Sequence, residues 1–400
     1  MTYENTISYI SNLQGDFMKI NNRLNGIGEY HFKNLDYIRE KRISMGKKVV
    51  DLSIGDPNLL VDENIKEGLI EGMNKKGFNK YPPYDGLEQL KLQIIKYYKD
   101  KFSVQLEEEE IVILIGSKEG ISNVIPSVCD VGDTVLVPEP GYPVYYIASK
   151  LWGCFPCTVP LKEENNYLID LDNIPENTVT KAKLMFINYP NNPTGANATE
   201  EFFERVVKFA KKNNIIVCND AAYCEIIEQD IKPISILQFD KEKTVVEFGS
   251  FSKLYNMTGF RVGYAVGNKE VIKNLIKVKS NLDSGQFMPI QYAAINALKL
   301  GDEYNKQLKE EYSKRRVLVK KILKEKNIKF FDSYSTFYIW CKTPKGYTTY
   351  EFCLELLNKY GIIVTPGDIF GTLGYDYFRI ALTQPYNIIE NSLSSLDKYE

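Results

Sequence analysis

The feature that most constrains this chain is an alternation running from about residue 86 to 285. Short apolar runs rich in β-branched residues take turns with longer amphipathic segments. IVILI (111–115), TVLVP (134–138), LMFI (184–187), IIVC (215–218) and TVVEF (244–248) read as buried strands. Between them, stretches such as 199–213 (TEEFFERVVKFAKKN) carry apolar residues at helical spacing. Thr199 followed by Glu200 and Glu201 marks the start of that helix. Strands alternating with helices at this spacing predict an α/β fold, a mostly parallel sheet flanked by helices.

After about residue 286 the pattern changes. Residues 286–326 read as Lys-rich helix. FYIWC (337–341), a helix near 348–360 and the extended FRIAL (378–382) predict a smaller α+β domain. VVDLSI (49–54) is expected to pack with it. The expected organisation is an arm at 1–30, a large domain at 56–285, and a small domain from 31–55 and 286–400.

Several function classes are disfavoured. Fifty basic against fifty-two acidic side chains give a net charge of −2, with no electrostatic footprint for nucleic acid or anionic membrane. No run approaches the roughly 18 apolar residues of a membrane helix, and no signal peptide is visible. The expectation is a cytoplasmic protein. Seven scattered cysteines make no disulfide framework. Cys154 and Cys157 form one CxxC inside the apolar CFPCTVP and are expected to be small buried residues, with no metal site. The run Glu107–Glu110 reads as a solvated turn. His31 is the single histidine, expected at the surface or on a partner, so the chemistry is not expected to run on imidazole.

In open α/β sheets ligands bind at the carboxyl ends of the strands. After IVILI comes Gly116-Ser117-Lys118-Glu119-Gly120 and a helix start, a nest suited to phosphate. LMFI is followed by Asn188 and a rigid polar turn, IIVC by Asn219, Asp220 and Tyr223, and VVEF by Gly249, Ser250, Ser252 and Lys253. One sheet edge thus collects a phosphate nest, an amide, a carboxylate with a phenol, and a lysine between hydroxyls. These groups could hold a phosphorylated, aldehyde-bearing cofactor. The absence of G-x-G-x-x-G after the first strand counts against a dinucleotide.

The stretches NNPTG (191–195), NDAAY (219–223) and SFSKLYNMTGFRVGYAVG (250–267) resemble fold-type-I, pyridoxal-phosphate-dependent class I/II aminotransferases. The separations agree: 28 from Asn192 to Asp220, 3 to Tyr223, and 8 from Lys253 to Arg261. The resemblance covers LSIGDP (52–57) to FRIALT (378–383). GSKEGI, PEPGYPVY, KLMFINYPNNPTGA and VKSNLDSG are most similar to the LL-diaminopimelate aminotransferase group and its alanine and glutamate relatives. Phe260 stands where the family usually has Trp, and the N-terminal arm is long for the group.

The resemblance implies the fold, pyridoxal 5′-phosphate (PLP) as cofactor, and an amino acid and a 2-oxo acid as substrates. It implies a homodimer with shared active sites. Lys253 would carry the cofactor as a Schiff base and then move protons. Asp220 would pair with the ring nitrogen, and Tyr223 and Asn192 with the ring's 3′ oxygen. Ser117, Lys118, Ser250, Ser252 and Arg261 would hold the phosphate, with Tyr81 reaching it from the neighbouring subunit. Tyr142 would stack on the ring. Arg379, Gly55 and Asn192 would bind substrate carboxylate, and Tyr30 would touch substrate. LL-diaminopimelate with 2-oxoglutarate is one expected pair; alanine/glutamate-type or broad-range transfer is another. A PLP-dependent cysteine–sulfur β-lyase keeps the same residues. A regulator's PLP-binding domain would need a DNA-binding module, which the arm of about 30 residues is expected to be too short to hold. No arginine occurs in 270–292, where aspartate-specific relatives bind a distal carboxylate, so strict aspartate specificity is not expected.

Overall fold

The computed structural model describes residues 21–24 and 33–399. Its strands, in chain order, are β1 (Val50–Asp51), β2 (Ile111–Leu114), β3 (Thr134–Glu139), β4 (Phe155–Pro160), β5 (Ala182–Ile187) and β6 (Ile216–Asp220). They continue with β7 (Val245–Ser250), β8 (Gly263–Gly267), β9 (Tyr338–Lys342), β10 (Ile362–Ile363), β11 (Thr365–Pro366) and β12 (Tyr377–Ala381). Seven strands form one sheet in the order β2-β8-β7-β6-β5-β3-β4. β8 runs antiparallel to both of its neighbours, and the remaining pairings are parallel.

The continuous apolar runs follow from burial on both faces. In β2, Ile111 and Ile113 enter one core while Val112 and Leu114 enter the other. In β5, Met185 and Ile187 face the first core, Leu184 and Phe186 the second. Side chains alternate along a strand, so a strand covered on both sides needs apolar residues at every position.

The helix Glu200–Asn213 shows the local logic. Thr199 accepts a hydrogen bond from the Phe202 N–H at 3.1 Å, which satisfies one free donor of the first turn. Phe202, Phe203, Val206 and Ala210 form its buried stripe. Asn214 ends it in the left-handed region.

A second sheet has the order β11-β12-β9, antiparallel throughout, and β1 pairs in parallel with β10. The 49–54 segment is laced between these elements. Leu52 N–H donates to Ile363 O at 2.8 Å, and Leu52 O accepts from Ala381 N–H at 2.7 Å. That lacing carries Ser53, Ile54 and Gly55 towards the edge of the large sheet.

Two stretches differ from the sequence reading. CFPCTVP contains the edge strand β4; Cys154 is buried and Cys157 half-buried. In the acidic run, Glu107 and Glu109 are exposed, but Glu110 folds inwards. It accepts from the Glu107 N–H at 2.9 Å and pairs with Lys243. Periodicity cannot show that one carboxylate of four is itself buried against a partner 133 residues away. Among the described residues no helix is long and apolar enough to cross a membrane, and no group of three His, Cys, Asp or Glu could hold a metal.

Trp340 on β9 is fully buried, stacked on Tyr377 with ring centres 5.1 Å apart and edge-on to Phe370 at 5.8 Å. Replacing it with alanine removes the largest side chain of this layer. We expect Trp340→Ala to lose about 3–5 kcal/mol in urea unfolding, and a loss below about 1 kcal/mol would contradict this packing.

Candidate active site

Asp220, the last residue of β6, is the best-defined group at the sheet's carboxyl edge. Tyr145 donates its phenol to Asp220 Oδ2 at 2.8 Å, and the Ala222 N–H donates to Oδ1 at 3.3 Å. Asn188, at the end of β5, donates to the Asp220 carbonyl at 2.6 Å and fixes the backbone there. Burial pushes the carboxyl up to about 6. The Tyr145 and Ala222 hydrogen bonds and the charge of Lys253 pull the other way. Tyr145 is itself held by stacking on Phe186, with centroids 5.1 Å apart.

β7 ends in Ser250, whose side chain caps the short helical turn Phe251–Leu254 by accepting from the Ser252 N–H at 3.2 Å. That turn presents Lys253, which is half-buried and donates to the Gly55 carbonyl at 2.6 Å. Ser252 is buried beside it.

The neighbouring cradle depends on the reversed strand. β8 runs antiparallel, so its entry lies at this edge: Gly263 pairs with both Leu114 and Ser250. Arg261, two residues before β8, therefore meets the loop after β2. Gly116 has φ +76°, and a Cβ there would collide with the Arg261 guanidinium. A Cβ on Gly263 would sit 2.6 Å from the Ser117 N. The helix Ser117–Val128 begins at this point, with its free N–H groups in the cradle. Ser117 is half-buried and Lys118 exposed, which leaves the Lys118 side chain pointing to solvent. Arg261 also donates to Thr258 O at 2.8 Å.

Arg379 on β12 is buried. It donates to Asn192 Oδ1 and to Ser53 O, both at 2.6 Å, and to Thr365 Oγ1 at 3.2 Å. Its Nε is buried without a hydrogen-bond partner, a spare donor on a desolvated cation. Asn192 is fixed by its own N–H, which donates to Asn188 Oδ1 at 2.8 Å. Tyr223 is buried, with its hydroxyl 3.1 Å from that of Tyr338, and burial pushes its phenol well up. Gly55 lies against Tyr338, where a Cβ would collide with the phenol oxygen.

The structure thus brings Gly55, Ser117, Asn192, Asp220, Tyr223, Ser250, Ser252, Lys253, Arg261 and Arg379 to one edge. Tyr142 is half-buried and edge-on to Tyr145, with centroids 5.7 Å apart. Tyr81 is 85% exposed. Tyr30 lies outside the described residues, as does His31. Sequence reading missed Tyr145, Tyr338 and the structural use of Asn188. Tyr145 lies in the quoted PEPGYPVY phrase, three residues after Tyr142, but nothing in that spacing ties it to Asp220. Tyr338 was visible only as part of an apolar strand.

Three observations fit PLP. Asp220 is a desolvated carboxylate whose charged form a protonated ring nitrogen would stabilise. The Gly116–Ser117–Arg261 cradle supplies N–H groups and a guanidinium for phosphate. Lys253 stands half-buried, near enough to Asp220 for its charge to act on that carboxylate. A seven-stranded α/β sheet with a lysine, a carboxylate and an anion cradle on one edge defines a PLP-dependent enzyme of fold type I.

The comparisons with known proteins agree. The profile of the family "Aminotransferase class I and II" matches residues 47–391. An LL-diaminopimelate aminotransferase of Natranaerobius thermophilus is 41% identical over 384 residues, 96% of this chain and all of that protein. That of Aquifex aeolicus is 44% identical over 369 residues, 92% of this chain and 95% of that one. The substrate-bound structure of BacF from Bacillus subtilis superposes with a TM-score of 0.89 at 32% identity, covering 94% of this chain and 97% of that one. The chain belongs to the class I and II aminotransferases and is a PLP-dependent aminotransferase.

Asp220 has a measurable consequence for the apoenzyme. Its folded-state carboxyl titrates at about 6, above the unfolded value of 3.8. Between these values the folded chain holds a proton that the unfolded chain releases, so stability falls as pH rises through this window. Asp220→Asn lacks that titration. We expect the urea stability of apo Asp220→Asn, relative to wild type, to rise by on the order of 3 kcal/mol from pH 4 to above pH 6. A flat difference would contradict the burial of this charge.

Proposed function

We propose that this protein transfers the amino group of LL-diaminopimelate to 2-oxoglutarate, acting as a cytoplasmic homodimer. The observation that carries the chemistry is the convergence of Asp220, Lys253 and Arg379 on one edge of the sheet. The substrate assignment is supported by relatives named LL-diaminopimelate aminotransferases that match nearly the full chain.

When bound, PLP supplies an aldehyde carbon for the amino group and a ring that draws electrons from the substrate Cα. The protein's share is binding, orientation and proton movement. Arg379 holds the α-carboxylate with its guanidinium, and the Gly55 backbone borders the same group. With the cofactor bound, the Lys253 amine would take the proton from the substrate Cα and deliver it to the former aldehyde carbon on the far side of the nitrogen. Asp220 would keep a proton on the ring nitrogen. Tyr223 and Asn192 would hydrogen-bond the 3′ oxygen, and Tyr142 would pack on the ring face. Ser117 and Lys118 through their N–H groups, with Ser250, Ser252 and Arg261, would hold the phosphate. The reading divides the chain into a large body (56–285) carrying the cofactor groups and a small one (31–55 with 286–400) carrying Arg379, after an arm at 1–30 to which Tyr30 belongs.

The dimer is supported by a group of exposed apolar side chains. Leu60 is 88% and Tyr81 85% exposed, and Ile70, Met73, Leu282 and Phe287 are also exposed. In the dimer, Tyr81 of one copy reaches the phosphate of the other.

The deciding assay is a donor panel of LL-diaminopimelate, alanine, glutamate, aspartate and a thioether amino acid, read with 2-oxoglutarate. The expected result is the highest kcat/KM for LL-diaminopimelate. A higher value for alanine or aspartate overturns the substrate. Ammonia and pyruvate from the thioether without an oxo acid would mean β-elimination instead. Lys253→Ala should lower kcat at least about 10³-fold with the fold intact by circular dichroism. Arg379→Lys should raise KM for donor and acceptor alike, by about tenfold or more, because one ammonium cannot reproduce the fork.

A further inference from the structure

We propose that Tyr338 is a positioning residue that couples the carboxylate-binding Arg379 to the ring phenol Tyr223. The proposal rests on the roles assigned above to Arg379 and Tyr223.

Three contacts meet at this one side chain. The Arg379 guanidinium lies over the Tyr338 ring, 4.0 Å from its centre. The Tyr338 hydroxyl is 3.1 Å from the Tyr223 hydroxyl. The same hydroxyl lies against the Gly55 backbone, whose carbonyl accepts from Lys253 at 2.6 Å. Carboxylate ligand, ring phenol and lysine support therefore share one neighbour.

The register of the small sheet builds this arrangement. Tyr338 on β9 stands opposite Ala381 on β12, so Arg379 is its diagonal neighbour on the same face. The Tyr338 N–H donates to Thr336 Oγ1 at 3.1 Å, which helps set the strand's start. Phe337 packs edge-on to both the Tyr338 and Tyr223 rings, at 4.9 and 5.5 Å. Tyr338 is 2% exposed, so water does not compete for its hydroxyl.

The direction of the hydrogen bond follows from the chemistry. Tyr223 donates its proton to the cofactor's 3′ oxygen, so its own oxygen accepts from Tyr338. A donor behind a donor polarises the chain and strengthens the forward bond. That bond stabilises the anionic 3′ oxygen and lowers the pH at which the Lys253 nitrogen loses its proton. A carboxylate drawn to Arg379 acts on the Tyr338 ring beneath the guanidinium and so on Tyr223, beside the separate link from Arg379 to Asn192 Oδ1 at 2.6 Å. Loading of the carboxylate site is thereby reported to the proton-moving lysine.

The test uses purified holoenzyme and glutarate, a carboxylate probe without an amine. Tyr338→Phe keeps the ring on Arg379 and removes only the hydroxyl. The readouts are the pH midpoint of the bound cofactor's visible absorbance, with and without saturating glutarate, and the glutarate dissociation constant. In Tyr338→Phe the midpoint without glutarate should rise by about half a pH unit or more. The glutarate-induced change in midpoint should fall to less than about half of wild type, while glutarate binds within about threefold of wild type. Tyr338→Leu, which also removes the ring, should weaken glutarate about tenfold. Tyr223→Phe/Tyr338→Phe should match Tyr223→Phe alone, because Tyr338 acts through Tyr223.

Unchanged midpoints in Tyr338→Phe, or additive shifts in the double variant, overturn the proposal. Arg379→Lys separates the two levels. If it weakens glutarate but Tyr338→Phe moves no midpoint, only the coupling fails. If it leaves glutarate binding unchanged, the carboxylate role of Arg379 fails and the coupling falls with it.

Discussion

Taking the Asp220 carboxylate out of water, at the end of a strand that is apolar on both faces, sets the terms for the rest of this site. The group lies where three apolar strand positions, Ile216, Val217 and Cys218, give way to polar residues. Its ionised form is disfavoured by burial and supported by one phenol, one backbone N–H and the charge of a nearby lysine. That balance suits a cationic ring nitrogen, which would supply the missing charge. The preceding residue shows the same care on the opposite face of the strand. Asn219 donates to Glu247 at 3.0 Å, and Glu247 also accepts from Tyr98 at 3.0 Å and Ser235 at 2.7 Å. Two polar residues in succession can end a buried strand because each finds its own network.

The second constraint is the direction of β8. A parallel strand would have presented its exit at the cofactor edge and sent Arg261 to the far side of the sheet. Reversal brings the entry of β8 to the edge, next to the loop after β2. Gly116 then allows the guanidinium to approach the backbone closely, a contact that any Cβ would block. The anion cradle is thus made by two segments about 145 residues apart in sequence, joined by strand register and not by a local motif.

The small sheet contributes the substrate end. Arg379 is held by a side-chain amide from the large sheet's edge, a backbone carbonyl from the 49–54 lacing and a threonine hydroxyl from β11. Each comes from a different part of the chain, so the guanidinium reports on how all three sit together. A desolvated arginine with its donors already oriented loses little further freedom when a carboxylate arrives.

The sequence by itself determined the α/β class, the apolar strands and the residues that follow each of them. Buried strands and capped helices are specified by composition over a few residues, and the Asn192, Asp220, Tyr223, Lys253, Arg261 spacing carries the family. The sequence also placed Arg379 in an extended run. It did not show β8 as antiparallel, Glu110 as buried, or the contacts of Tyr145 and Tyr338. Those depend on which strands become neighbours and in what register. Tyr223 and Tyr338 are 115 residues apart, and Tyr145 and Asp220 are 75. A hydrogen bond across such distances leaves no periodic trace in the chain, because only packing decides which side chains share a desolvated space.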